Sequence, residues 1–149
     1  MPINFRMTTR LYSCMTTSVL SPWFVTGFSD GESSFWVSIL KDNTYKTGRC
    51  VKLCFEIGLH QKDLALLEQI QKFFGVGKVY MKSKGSVHYL VTSIKDLQVI
   101  REHFDKYPLL TKKRADFELW AQILHLTKNK EHLNMEGLRK IVAIKASLN

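Results

Sequence analysis

Acidic residues are scarce in this chain: 13 Asp and Glu stand against 22 Lys and Arg in 149 residues, a formal charge of +9. So basic a balance points to a polyanionic partner, most simply nucleic acid, with a basic soluble enzyme as the plainer alternative. Cysteine is scarcer still. Cys14, Cys50 and Cys54 are odd in number and lack a partner pair or a histidine at zinc-finger spacing, so all three read as free thiols. No apolar run approaches the length of a membrane span. The five histidines show no paired spacing that would suggest zinc or histidine-based nuclease chemistry. Gly75-Val76-Gly77-Lys78 is too short for a phosphate-binding loop and reads as a turn into a strand. A chain of this length buries about 70% of its unfolded surface. It needs neither a disulfide nor a structural metal to fold as one domain.

Residues 1–20 carry Arg6 and Arg10, no acidic residue and many Ser and Thr. That is the composition of an organellar transit peptide, and equally of a disordered leader or of residual exon-encoded or linker sequence; the residues leave these open. The folded domain is expected over 21–149. Ser21 suits a helix N-cap and Pro22 the first helical position, so a helix starts there. Gly27 and Gly31 sit four apart on one face of it, each at a cost in helix propensity, and close approach of a second helix gives that face a reason to lack side chains. Asp30 and Glu32 add negative charge where the last free carbonyls already form a negative pole, an end that favours a bound cation.

Beyond this helix the hydrophobic period changes to two. Phe35, Val37 and Ile39 alternate with Ser34, Trp36, Ser38 and Leu40, and after a turn at 42–48 Leu53, Phe55, Ile57 and Leu59 alternate with Lys52, Cys54, Glu56 and Gly58. Helical spacing over Lys62 to Phe74 brings Leu64, Leu67, Ile70, Phe73 and Phe74 together, with Gly75 as the stop. A second hairpin around Lys84-Gly85 points Val79, Met81, Val87, Tyr89 and Val91 inward and Lys78, Tyr80, Lys82, His88, Leu90 and Thr92 outward. Ser93 and Asp96 form a capping box for a helix burying Leu97, Ile100 and Phe104 and ending at Tyr107-Pro108. A helix from about Arg114 lines up Phe117, Trp120, Ala121 and Leu124, and a last one capped by Asn134 carries Leu138, Ile141, Ile144 and Leu148. The class is α+β: a four-stranded antiparallel sheet with its helices on one face. Its other face, with Trp36, Leu40 and Tyr80 among Lys52, Lys78 and Lys82, is too apolar for open solvent and basic enough for a phosphate backbone.

The stretch Val25-Thr26-Gly27-Phe28-Ser29-Asp30-Gly31-Glu32-Ser33 resembles the signature helix of the LAGLIDADG homing endonucleases. Its flanks resemble further landmarks of that family: Pro-Trp-Phe before it, Ser-Phe after it, FEIGLHQKD at 55–63, HFDKYPLLTKK at 103–113 and NKEHLNMEGLRKIVAIKASLN at 129–149. The resemblance covers the chain from about Ser21 to Asn149, is strongest to the first half of two-motif fungal mitochondrial members, and implies an αββαββα unit with a saddle-shaped sheet. It implies that two such helices pack at the centre of a dimer or pseudo-dimer through Thr26, Gly27 and Asp30. Asp30 would be structural, and Glu32, with the Gly31 carbonyl, would bind Mg²⁺ at the scissile phosphates. It further implies catalytic roles for Glu32 and Lys113, a place for Lys112 beside the DNA backbone, and the outward sheet residues as a surface lying along the major groove. Two positions depart from the family pattern. Ser33 replaces the last glycine, and Glu56 stands where a Gln is common; its charge repels phosphate or joins the metal site, or it is an ordinary outward strand residue.

The function so implied is intron homing in a mitochondrion: metal-dependent, site-specific cleavage of double-stranded DNA to staggered ends. Only one signature helix is present. The chain is therefore expected to homodimerise on a near-palindromic site, to be one half of a split or truncated enzyme, or to fold without cutting. The rival class is a non-catalytic binder, such as an intron maturase using the same basic surface on intron RNA.

Overall fold

The computed structural model describes residues 20–148; the expectations for residues 1–19, Cys14 among them, lie outside it. Pro22 opens α1 (Pro22–Glu32), and the Ser21 backbone carbonyl accepts the Val25 N–H at 3.1 Å, in place of the expected side-chain cap. β1 (Ser33–Lys41) follows without a loop and pairs antiparallel with β2 (Arg49–His60), with Ser34 opposite Glu56, Trp36 opposite Cys54 and Ser38 opposite Lys52. A 3-10 turn at Gln61–Asp63 leads into α2 (Leu64–Phe74), which Gly75 stops in the left-handed region at φ 72°, a conformation that costs glycine little. β3 (Lys78–Ser83) and β4 (Ser86–Val91) form the second hairpin. Then come α3 (Ile94–Lys106), α4 (Lys113–Lys128) and α5 (Met135–Ala146). Ser93 Oγ accepts the Asp96 N–H at 3.3 Å and Asn134 Oδ1 accepts the Gly137 N–H at 2.8 Å, the two expected N-caps.

The four strands make one antiparallel sheet in the order β1-β2-β4-β3. Alternation decides its two faces. Phe35, Val37, Leu53, Phe55, Ile57, Val87, Tyr89 and Val91 share one continuous core with Leu67, Ile70, Leu97, Ile100, Phe104, Phe117, Trp120, Leu124, Leu138 and Ile141 of the helices. Phe35 is its hub, with ring centroids 5.1 to 5.5 Å from those of Phe55, Phe104, Phe117 and Trp120. Two inward expectations are corrected. Met81, 57% exposed, lies on the edge strand with a neighbour on one side only, and Leu64 sits exposed in the first turn of α2. Thr92, expected in β4, falls one residue beyond it. Among the described residues no helix is long and apolar enough to cross a membrane.

A polar contact ties α1 to this core. The Thr26 hydroxyl donates to the Tyr107 carbonyl at 2.8 Å, so its oxygen is left to accept from His103 Nε2 at 3.0 Å, which selects the Nε2–H tautomer of a buried imidazole. Burial pushes His103 down to about 4 from its ordinary 6.5. The native imidazole is thus neutral where the unfolded one takes up a proton, so the stability it contributes is full above pH 6.5 and is lost as pH falls toward 4. His132, also lowered by burial, adds to the same limb. Urea-unfolding midpoints measured from pH 7.5 to 4.5 are therefore expected to fall with pH. His103→Gln flattens that fall while lowering the midpoint at neutral pH; an unchanged acid slope contradicts the assignment.

Candidate metal-binding helix end and nucleic-acid face

The inner face of α1 is made of small and polar residues: Val25, Thr26 and Ser29 are buried against the chain's own core, as is Ser33 just beyond it. Thr26, expected at a helix–helix interface, is corrected to this inner face, since its hydroxyl is used up within the unit. The opposite face carries Gly27 and Gly31, and a Cβ placed on either glycine would meet nothing within 4 Å. Beside them Phe24, 45% exposed, stacks on Phe28 with ring centroids 6.0 Å apart. Sequence reasoning missed this aromatic pair, although its i, i+4 spacing next to two glycines was legible.

At its C-terminal end α1 is held by the segment between α3 and α4. Asp30 accepts the Leu110 N–H at 2.8 Å, the Thr111 N–H at 3.2 Å and the Thr111 hydroxyl at 2.7 Å. Burial raises its pKa, but these bonds and the charge of Lys113 outweigh that and hold the carboxyl below its usual range. Asp30, expected as a structural residue at a helix–helix contact, spends both carboxylate oxygens on its own chain. The Lys113 ammonium reaches the same helix end, donating to the Ser33 carbonyl and, at 3.3 Å, to that of Ser29. The negative pole already has its cation. Burial lowers Lys113, and Asp30, Glu32 and Asp116 oppose that shift, which places Glu32 within its electrostatic reach. Ser33, the departure from glycine, turns its hydroxyl back to the Ser29 carbonyl at 2.7 Å. Lys112 is exposed beside Lys113.

Glu32 itself stands exposed at the last position of α1, next to the Gly31 carbonyl. Among the described residues no three His, Cys, Asp or Glu side chains gather as a metal cluster. One unit therefore presents a carboxylate and a carbonyl, hard oxygens of the type Mg²⁺ takes, but not a complete ligand set.

The outward sheet face lies beside this helix end, since Ser34 directly follows the β1 start and stands opposite Glu56. Trp36 is 38% and Leu40 47% exposed, and Ser34, Lys52, Lys78 and Lys82 are exposed as expected. Ser38, Tyr80 and Leu90 are half-buried, and the Lys78 ammonium sits 5.6 Å from the Tyr80 ring centroid. Four outward residues are engaged within the sheet. Cys54 is fully buried, set between Trp36 across the strand pair and Glu56 along the strand, and burial pushes its thiol up to about 12. Glu56 and His88 bond each other, with Oε1 and Nδ1 2.5 Å apart. Gly58 serves as the seat of the His88 ring, since a Cβ there would come within 2.8 Å of it. Ser86, which completes this group, lies two residues before His88 on β4, so the period of two already put both on the outward face.

Residues 25–124 match the family model described as the LAGLIDADG endonuclease. The chain belongs to the LAGLIDADG family. It is 46% identical over 118 residues to the uncharacterised 50.9 kDa protein in ND4 intron 1 of Podospora anserina, covering 78% of this chain and 26% of that one. It superposes on the LAGLIDADG meganuclease I-CpaMI, solved bound to uncleaved DNA, with a TM-score of 0.84 and 50% identity, covering 87% of this chain and 44% of that one. On the homing endonuclease I-TnaI the TM-score is 0.85 at 37% identity, with 89% of this chain and 90% of that one covered. The LAGLIDADG chain thus spans about a quarter of its Podospora relative and under half of I-CpaMI, but nearly all of I-TnaI.

Two positions of α1 respond oppositely to substitution. Gly27→Ala is expected to raise the stability of the isolated LAGLIDADG unit by about 0.5–1 kcal/mol, because helix propensity improves and nothing is in the way. Asp30→Ala is expected to lower it by about 1–2 kcal/mol through the orphaned Leu110 and Thr111 donors. Urea denaturation of each variant measures both; a destabilised Gly27→Ala unit would contradict the open face.

Proposed function

We propose that this LAGLIDADG unit is half of a site-specific, metal-dependent endonuclease that cuts double-stranded DNA, completed when the glycine face of α1 packs against the same face of a second unit. The observation that carries the reading is the open Gly27–Gly31 face leading directly to an exposed Glu32 beside a basic sheet. A helix face without Cβ contacts lets two backbones approach closely, and that approach would bring two Glu32 carboxylates and two Gly31 carbonyls together. Mg²⁺ bound there would supply charge stabilisation on the phosphate and a nucleophilic water. The chain's own residues orient the substrate and its charge. Lys113 has three ammonium hydrogens and spends two on the Ser29 and Ser33 carbonyls, which leaves one for a phosphate oxygen or an attacking water. Lys52 and Lys78 meet the backbone along the groove, and Trp36, Leu40, Tyr80 and Lys82 meet the bases.

I-TnaI, a homing endonuclease whose chain this unit nearly spans, supports a homodimer on a near-palindromic target. I-CpaMI, more than twice as long as the matched region, supports the arrangement in which a second unit of another sequence completes the site. The place of the Podospora relative in an ND4 intron supports an intron-encoded origin and a mitochondrial location. Glu32→Gln tests the chemistry. It keeps shape and hydrogen bonding but removes the metal-binding charge, so cleavage of a duplex library in Mg²⁺ is expected to fall at least about a hundredfold while duplex affinity holds. Cleavage equal to that of the wild type would contradict the role of Glu32. Wild-type affinity for structured intron RNA above that for duplex DNA at equal salt would favour a maturase instead.

A further inference from the structure

The group around Glu56 is not explained by cleavage. A carboxylate on a face that meets DNA should repel phosphate, yet Glu56 is engaged on every side. His88 Nδ1 lies 2.5 Å and Lys82 Nζ 3.6 Å from Oε1, and the Trp36 indole N–H donates to Oε2 at 3.4 Å. Ser86 Oγ holds the other ring nitrogen of His88 at 3.0 Å, and Gly58 gives the ring its place. One carboxylate therefore gathers side chains from all four strands: Trp36 from β1, Lys82 from β3, His88 and Ser86 from β4. Exposure separates the members. The side chains of Glu56 and His88 are 16% and 15% exposed, whereas that of Lys82 is 54% exposed.

We propose that Glu56 is a positioning residue for base recognition. Through this network it fixes the Trp36 indole and the Lys82 ammonium on the reading face, so that the base preference at the step they meet depends on Glu56 and His88, although neither need touch a base. The inference rests on the reading of the sheet as the DNA face. Lys82 is bound at one contact only and keeps donors for the O6 and N7 acceptors of guanine, while the apolar edge of an indole suits a thymine methyl group. A free lysine and a free tryptophan would lose rotamer freedom on binding, and a carboxylate that orders them beforehand removes part of that cost. The other groups facing Glu56 do not compete with it. Tyr80 packs its ring toward His88 with centroids 5.9 Å apart, and the Cys54 thiol stays neutral. Burial raises the Glu56 carboxyl, but the His88 bond, the Lys82 charge and the Trp36 bond outweigh it and keep it ionised below the usual range.

The test is selection of binding sites from a randomised duplex library by the full chain, compared among wild type, Glu56→Gln, His88→Gln and the double variant. Lys52→Ala serves as a control on the same face outside the network. Both single variants are expected to change preference by about five- to tenfold at the same one or two base pairs, with the double variant doing no more than either. Lys52→Ala is expected to weaken all sites alike. In the free protein the Trp36 indole N–H resonance moves in both single variants. Unchanged selections, changes at different base pairs, or an unmoved indole resonance overturn the proposal. A folded wild type that selects no sequence at all overturns the DNA reading, and this inference with it.

Discussion

Lys113 and Asp30 hold the end of α1 from opposite sides, the ammonium on the Ser33 and Ser29 carbonyls and the carboxylate on the Leu110 and Thr111 amides. Helices leave their last carbonyls short of partners, and here Lys113, the first residue of α4, adds a donor to the Ser29 carbonyl. The exchange fixes α1 against the body of the unit at the point where β1 begins. Because Asp30 is consumed in that clamp, Glu32 is the acidic residue of the signature left exposed. The position of the exposed Glu32 carboxylate thus depends on the clamp at Asp30, two residues before it.

The same economy governs the sheet. Its inner face is a continuous apolar surface centred on Phe35, and its outer face carries lysines whose mutual repulsion is relieved at one place by Glu56. The net charge of +9 draws the chain toward a polyanion but cannot by itself orient it. Orientation has to come from side chains with fixed positions, and the bonded group across the four strands supplies such side chains.

Much of this was legible in the residues. Alternation from Phe35 to Ile57 and from Val87 to Val91 set which face each strand buries, and Gly75, Ser93 and Asn134 marked helix ends through local backbone chemistry that needs no tertiary information. The glycines of the signature helix announced a face without side chains. What the residues left unread were contacts set by register and by long-range closure. Thr26 and Gly27 are adjacent in sequence, but a hundred-degree turn of the helix sends one to His103 and the other to solvent. Cys54 has the outward phase of its strand yet is buried by neighbours on that same face. Glu56 and His88 are thirty-two residues apart, and only the pairing of β2 with β4 brings them together.

The central claim is that α1 is built to meet a second α1, so that one chain carries half of a cleavage site. The most direct measurement is the molar mass of the purified chain by light scattering, alone and with Mg²⁺ and a near-palindromic duplex. Two chains per duplex, or a dimer in free solution, is the predicted result. One chain at all concentrations, on DNA as well as off it, even with a second LAGLIDADG unit added, would contradict it.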